Sequence, residues 1–218
     1  MDKMMNFELF DSIFNNGVVP DSMIAASVSD DDVGVLLRTH LISERFLQGY
    51  ISAAINEGDL FSGESRDKDK CKMSYFSKLN CAKHHGLPGP TFDALKALND
   101  GRNDMAHEIG KDKISASLLD AIEASCLRIT SHTDISLDDH HLQTWDENGQ
   151  PIAIYRYGDM QTPPRVKLLM LFGCLVRRTL ESKGKLMASA ATAATFTPTK
   201  NHLHPKITYS TTLSLKSN

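Results

Sequence analysis

Apolar residues return every three or four positions through most of this chain, the spacing of one face of a helix. The opening piece "NFELFDSIF" is short and amphipathic, and Gly17 and Pro20 close it. The acids of "SVSDDD" supply caps for the longest periodic segment, "VGVLLRTHLISERFLQGYISAAINEG", which is expected to end at Gly58. "DLFSGESRDKDKCK" is polar and reads as a loop. "MSYFSKLNCAKHHGL" predicts a helix with Phe76, Leu79 and Lys83 at helical spacing and Gly86 as its C-cap. "PGPTFDALKALNDGRNDMAHEIG" starts after prolines and runs to Gly110, and "KISASLLDAIEASCLRITSH" is a further amphipathic helix. After about residue 133 the texture changes. Two β-prone pieces flank Asn148-Gly149, which predicts a hairpin. "TPPRVKLLMLFGCLVRRTLESKGK" then predicts another helix.

The pattern gives a mainly α fold: an antiparallel helical bundle with a small β-hairpin and a C-terminal helix. The expected division is an N-terminal helical extension over 1–29, the bundle over 30–133, a hairpin plus helix packing on the bundle over 134–187, and a tail over 188–218. That tail is rich in Ala, Thr and Ser without periodicity, so it is expected to be disordered or ordered only against a partner.

Composition narrows the class. At 218 residues, 41% apolar and 23% charged, the chain can bury a core without staples. "RVKLLMLFGCLV" falls short of the roughly 18 apolar residues of a membrane span. The start carries acids and no small-residue cleavage site, so no signal peptide and a cytoplasmic setting are expected. Cys71, Cys81, Cys126 and Cys174 are scattered and read as reduced thiols, not as a zinc site. The net charge of −3 hides an asymmetry: residues 161–218 hold nine Lys/Arg against Glu181 alone, about +8, which leaves about −11 on residues 1–160. The basic end can meet a polyanion or balance the acidic remainder.

Helical wheels raise the chemical question. Val33, Leu36, Leu37, Leu47, Ile51 and Ile55 fall on one face of the long helix, with His40 and Glu44 one turn apart in its centre. A buried glutamate is rare unless paired. On the helix over 92–109, Phe92, Leu95, Leu98, Met105, Ala106 and Ile109 cluster, and Arg102 lands among them. The expectation is that Glu44 pairs with Arg102 and aligns the two helices. Asn103 and His107, four apart, share a neighbouring face, where Asn103 is expected to orient the imidazole. Gly101 is expected to admit a neighbouring backbone. A structural Glu–Arg pair and a surface histidine are the plainer reading of the same residues.

No Gly-rich phosphate loop, GxSxG or HExxH occurs. His84-His85 and His140-His141 are adjacent pairs about 100° apart on a helix, poor joint metal ligands. "DDHH" at 138–141 reads first as a polar cap and second as a metal loop, and "HLHP" is equally weak. No metal or other cofactor is expected. Arg177, Arg178 and Lys183 lie on or after an apolar helix, where they are expected to touch phosphates or to keep the helix end soluble.

The order Arg102-Asn103-x-x-Ala106-His107, with "VLLRTHLISERFL" and "FSKLNCAKHHGL" upstream, resembles the HEPN superfamily over about residues 30–130. The helix rhythm is also similar to that of the mannitol-operon repressor family. The first resemblance implies a metal-independent endoribonuclease, a toxin or phage-defence effector, acting on RNA as a homodimer beside a protein antitoxin or regulatory partner and apart from membranes. It implies His107 as general acid or base and Arg102 on the scissile phosphate, with Asn103 orienting. Glu44 enters from the wheel, fixing Arg102. The second implies a non-catalytic helical regulator or interaction module. The acidic charge of the domain that bears the motif counts against strong RNA affinity.

Overall fold

The computed structural model describes residues 5–58, 60–61, 72–108, 110–130, 136–145, 151–184 and 207–211. The Asn148-Gly149 turn, Cys71, Ile109 and "HLHP" lie outside them. Four of the helices begin where a side chain offers an acceptor to the free N–H groups of the first turn, and two others begin at a proline. Asn6 caps α1 (Phe7–Phe14) through Leu9 N, and α2 (Val18–Ser27) follows Gly17. Asp31 caps α3 (Asp32–Ile55) through Val33 N, and α3 closes on Asn56 in the left-handed conformation, φ 60°, two residues before the expected end at Gly58. Ser74 caps α4 (Tyr75–His84), after which Gly86 turns the chain at φ 87°. Pro88 opens α5 (Gly89–His107), Ser115 caps α6 (Ala116–Arg128), and Pro163 opens α7 (Pro164–Glu181).

The central element is α7. Leu168, Leu169, Met170 and Leu171 follow one another with no face left to water. A helix apolar all round has to be wrapped by its neighbours, and α2, α3, α5 and α6 do this. Among the described residues no helix is long and apolar enough to cross a membrane. The Thr179 hydroxyl donates to the Leu175 carbonyl and lies 2.7 Å from the Thr91 hydroxyl, joining α7 to α5. On the other side, Phe10 and Phe14 of α1 close edge-on against Phe46 of α3 at 5.8 and 5.9 Å. Arg45 donates to the Ile13 carbonyl at 3.1 Å. Residues 7–27 thus build part of the core, where the hydrophobic pattern alone suggests an added extension.

The hairpin forms as the sequence predicts: β1 (His140–Trp145) pairs antiparallel with β2 (Pro151–Arg156), with Leu142 opposite Tyr155. A third strand, β3 (Ile207–Thr211), pairs with the other edge of β1 and gives the order β2-β1-β3. It comes from the segment expected to be without structure. "ITYST" is short and β-branched, a strand signal that the surrounding Ala/Thr/Ser-rich text hides.

If residues 7–27 are core and not an appendage, Phe10→Ala lowers unfolding free energy by about 3–5 kcal/mol, the range for a deleted buried phenylalanine. Chemical denaturation measures it. A change of less than about 0.5 kcal/mol, as at a surface position, contradicts this packing.

Candidate functional site

The two polar stripes do meet, but with different partners. Glu44 Oε1 lies 2.7 Å from Lys78 Nζ of α4, and the lysine side chain is only 7% exposed. Lys78 stands one residue before the buried Leu79, so α4 turns a cation inward where Glu44 demands one. Phe61 covers the same ammonium at 5.0 Å. The Glu44–Arg102 pair expected from the wheels is therefore replaced by Glu44–Lys78.

Arg102 is half-buried, and its Nη1 donates to Asn103 Oδ1 at 3.0 Å. Its Nε is sealed from water with no acceptor. Asn103 thus serves Arg102 and not His107. His107 is the last residue of α5 and is exposed, as is Ala106, so the apolar stripe of α5 fades before the helix ends. Gly101 lies where an added Cβ would come 2.8 Å from a Leu118 methyl carbon, so the glycine makes room for a side chain of α6 and not for a backbone.

Two residues complete the cluster. The buried His40 of α3 lies 3.2 Å through Nε2 from Asn99 Oδ1 of α5, and its ring stacks on Tyr75 of α4 at 4.3 Å. The Tyr75 hydroxyl donates to the Leu95 carbonyl at 3.3 Å and lies 2.9 Å from Ser43 Oγ. Burial lowers the His40 pKa, the Asn99 bond opposes that, the Arg102 charge lowers it further, and Glu44 opposes again. Burial, Glu44 and the contact with Ser43 act on Tyr75, with burial dominant and the phenol pushed up. Asn99 was legible in principle: it stands three residues before Arg102 on the same side of α5.

The basic residues of α7 lie elsewhere. Arg178 is 7% exposed and donates to the Cys126 carbonyl at 3.2 Å; Arg177 Nη1 is 3.6 Å from Glu181 Oε1. A phosphate contact would have to draw both from these partners. Lys183 follows the helix and brings Nζ to 2.9 Å from where a Cβ on Gly86 would stand. Lys183 thus lies by the start of α5 and not by the Arg102 turn: α4 ends and α5 begins beside Gly86, and the 13 residues from Gly89 to Arg102 rise about 20 Å. His140, expected in a polar cap, is instead wholly buried at the start of β1. Burial, then Arg177, Arg178 and His141, lower its pKa to about 4. Among the described residues Cys81, Cys126 and Cys174 form no disulfide.

Two measurements check this arrangement. A double-mutant cycle in chemical denaturation on Glu44→Gln and Lys78→Met gives a coupling of about 1–3 kcal/mol, and the cycle on Glu44→Gln and Arg102→Met gives less than about 0.5; the reverse ranking contradicts the pairing. For His140 the folded pKa, about 4, lies below the ordinary 6.5. The unfolded chain then binds the proton first, so stability falls as pH drops from about 6.5 to about 4. In His140→Gln this part of the pH dependence is lost, and a slope unchanged by the substitution assigns it to other groups.

Comparison of the chain with family models, with curated proteins and with solved structures gives no match.

Proposed function

We propose that this chain is a metal-independent endoribonuclease of HEPN type that works as a homodimer, serving as a toxin or phage-defence effector. The observation that supports it most is the end of α5, where Arg102, Asn103 and His107 share the last turns beside solvent. Arg102 is steadied by Asn103 and keeps donor capacity for a phosphate, two of whose oxygens can pair with the planar guanidinium fork. His107, on the exposed turn, exchanges protons with the ribose 2′-hydroxyl or the leaving 5′-oxygen. As the 2′-oxygen attacks phosphorus, charge grows on the phosphoryl oxygens, and Arg102 offsets it. The products are a 2′,3′-cyclic phosphate and a 5′-hydroxyl. In this scheme Glu44 acts at one remove, neutralising Lys78 so that the cluster around Arg102 carries no second unpaired charge. Leu37 and Leu41 of α3 and Phe76 of α4 stand exposed on the same two helices, an apolar surface that a second copy would cover.

A second reading is favoured by a different observation. Asp100, Asp104 and Glu108 are exposed around the motif, and although Lys96 pairs with the first and Lys111 with the other two, three acids against two lysines leave a negative balance that repels a phosphate backbone. Under it the chain is a non-catalytic helical regulator or interaction module, similar to the mannitol-operon repressor family, and the polar cluster only sets helix register.

Purified protein incubated with total RNA in EDTA separates the two. The ribonuclease produces fragments, and Arg102→Ala and His107→Ala each slow their release by about 100-fold or more while circular dichroism stays unchanged. Intact RNA with the wild type supports the binding module.

A further inference from the structure

We propose that Asn16-Gly17 is a self-modification site, where the Asn16 amide is converted through a cyclic imide to aspartate and isoaspartate. This chemistry is independent of the ribonuclease reading.

The pair lies in the turn between α1 and α2, and residues 15–18 are all exposed. Ring closure needs a main-chain nitrogen free to lose its proton and an activated side-chain carbonyl beside it. Gly17 N makes no hydrogen bond among the described residues, while the Gly17 carbonyl accepts from Asp21 N at 3.2 Å. The first turn of α2 thus fixes one side of the glycine and leaves its nitrogen to water. Asn16 Oδ1 accepts from Val18 N at 3.4 Å, an Asx turn that folds the side chain back over Gly17 N. As the nitrogen attacks Cγ, negative charge grows on Oδ1. The Val18 N–H already points at that oxygen, and no side chain caps the start of α2, so the positive end of the helix stabilises the charge.

The glycine removes the steric shield. Its φ is 91°, and a Cβ there would meet nothing within 4 Å, so the space beside the nitrogen is open. Among the described asparagines only Asn16 precedes a glycine. Asn6 accepts from Leu9 N and Asn15 donates to Asp11, while Asn80 lies inside α4, where the next nitrogen belongs to the helix.

The step balances with water as the only co-reactant. Gly17 N loses its proton and bonds Cγ, the Cγ–Nδ2 bond breaks, and ammonia leaves with that proton. Water then opens the imide. Cleavage between Cγ and Gly17 N gives aspartate, and cleavage at the main-chain carbonyl of residue 16 gives isoaspartate. Either product places a carboxylate at the start of α2, and isoaspartate also inserts a methylene into the chain between α1 and α2.

The test is peptide mapping by mass spectrometry on the full chain held folded at mildly alkaline pH. The mass gain of amide to acid is expected at Asn16 about tenfold or more faster than at Asn6, Asn15 or Asn80. The rate is expected to rise with pH, and the product to be a mixture of aspartate and isoaspartate. Gly17→Ala puts a methyl group beside the nitrogen and is expected to slow conversion at Asn16 several-fold. Conversion at Asn16 no faster than at the other three overturns the proposal, as does aspartate formed without isoaspartate or an unchanged rate in a folded Gly17→Ala. Because alanine is strained at this φ, the comparison among wild-type asparagines decides the matter should that variant fail to fold.

Discussion

The 24-residue helix α3 packs against α1, α2, α4, α5 and α7, and on a helix enclosed on so many sides a polar side chain is costly unless it finds a partner, a cost that the buried Ser52 hydroxyl bears. His40, Ser43 and Glu44 all point into that enclosure. Each therefore calls for a mate on the helix it faces, and those demands fix how α4 and α5 sit. Lys78 answers Glu44, the Tyr75 hydroxyl meets Ser43, and Asn99 meets His40. Part of the bundle is dictated by polar pairing, and part by the apolar α7 that its neighbours must wrap.

The same pairing decides what is left for chemistry. Because Lys78 takes the glutamate, Arg102 keeps no carboxylate partner and is braced by the neutral Asn103. An arginine locked onto Glu44 would have been spent inside the core. One braced by an amide at the edge of the core retains its full charge toward an anion. Lys96 and Lys111 are taken up by the exposed acids Asp100, Asp104 and Glu108, so affinity for an anion at this end of α5 must come from a few well-placed donors and not from a basic field.

Much of this was legible in the sequence. The helices and the hairpin follow from periodicity, from the acids of "SVSDDD" that cap α3, and from the β-prone pieces around Asn148-Gly149, while the caps at Ser74 and Ser115 emerge only in the structure. The stripe positions of His40, Glu44 and Arg102 were visible as anomalies. Their partners were not, because a wheel shows which face a residue occupies and not which helix covers that face. The wheels offered Glu44 only Arg102; Lys78 lies off the face read from Phe76, Leu79 and Lys83, and only packing turns it toward the glutamate. Arg177 and Arg178 read as surface charges because a basic pair at a helix end usually is solvated; burial of nearly every side of α7 reverses that. The strand at Ile207–Thr211 was hidden because its pairing partner lies more than 60 residues earlier, at His140–Thr144.

The account comes down to whether the end of α5 performs transesterification. The most direct measurement is mass spectrometry of the RNA ends released by the wild-type protein in EDTA. The account predicts 2′,3′-cyclic phosphates facing 5′-hydroxyls, the only ends an attack by the 2′-oxygen can leave. Fragments bearing 5′-phosphates and free 3′-hydroxyls would contradict it, since they require water or a metal-bound hydroxide as the nucleophile.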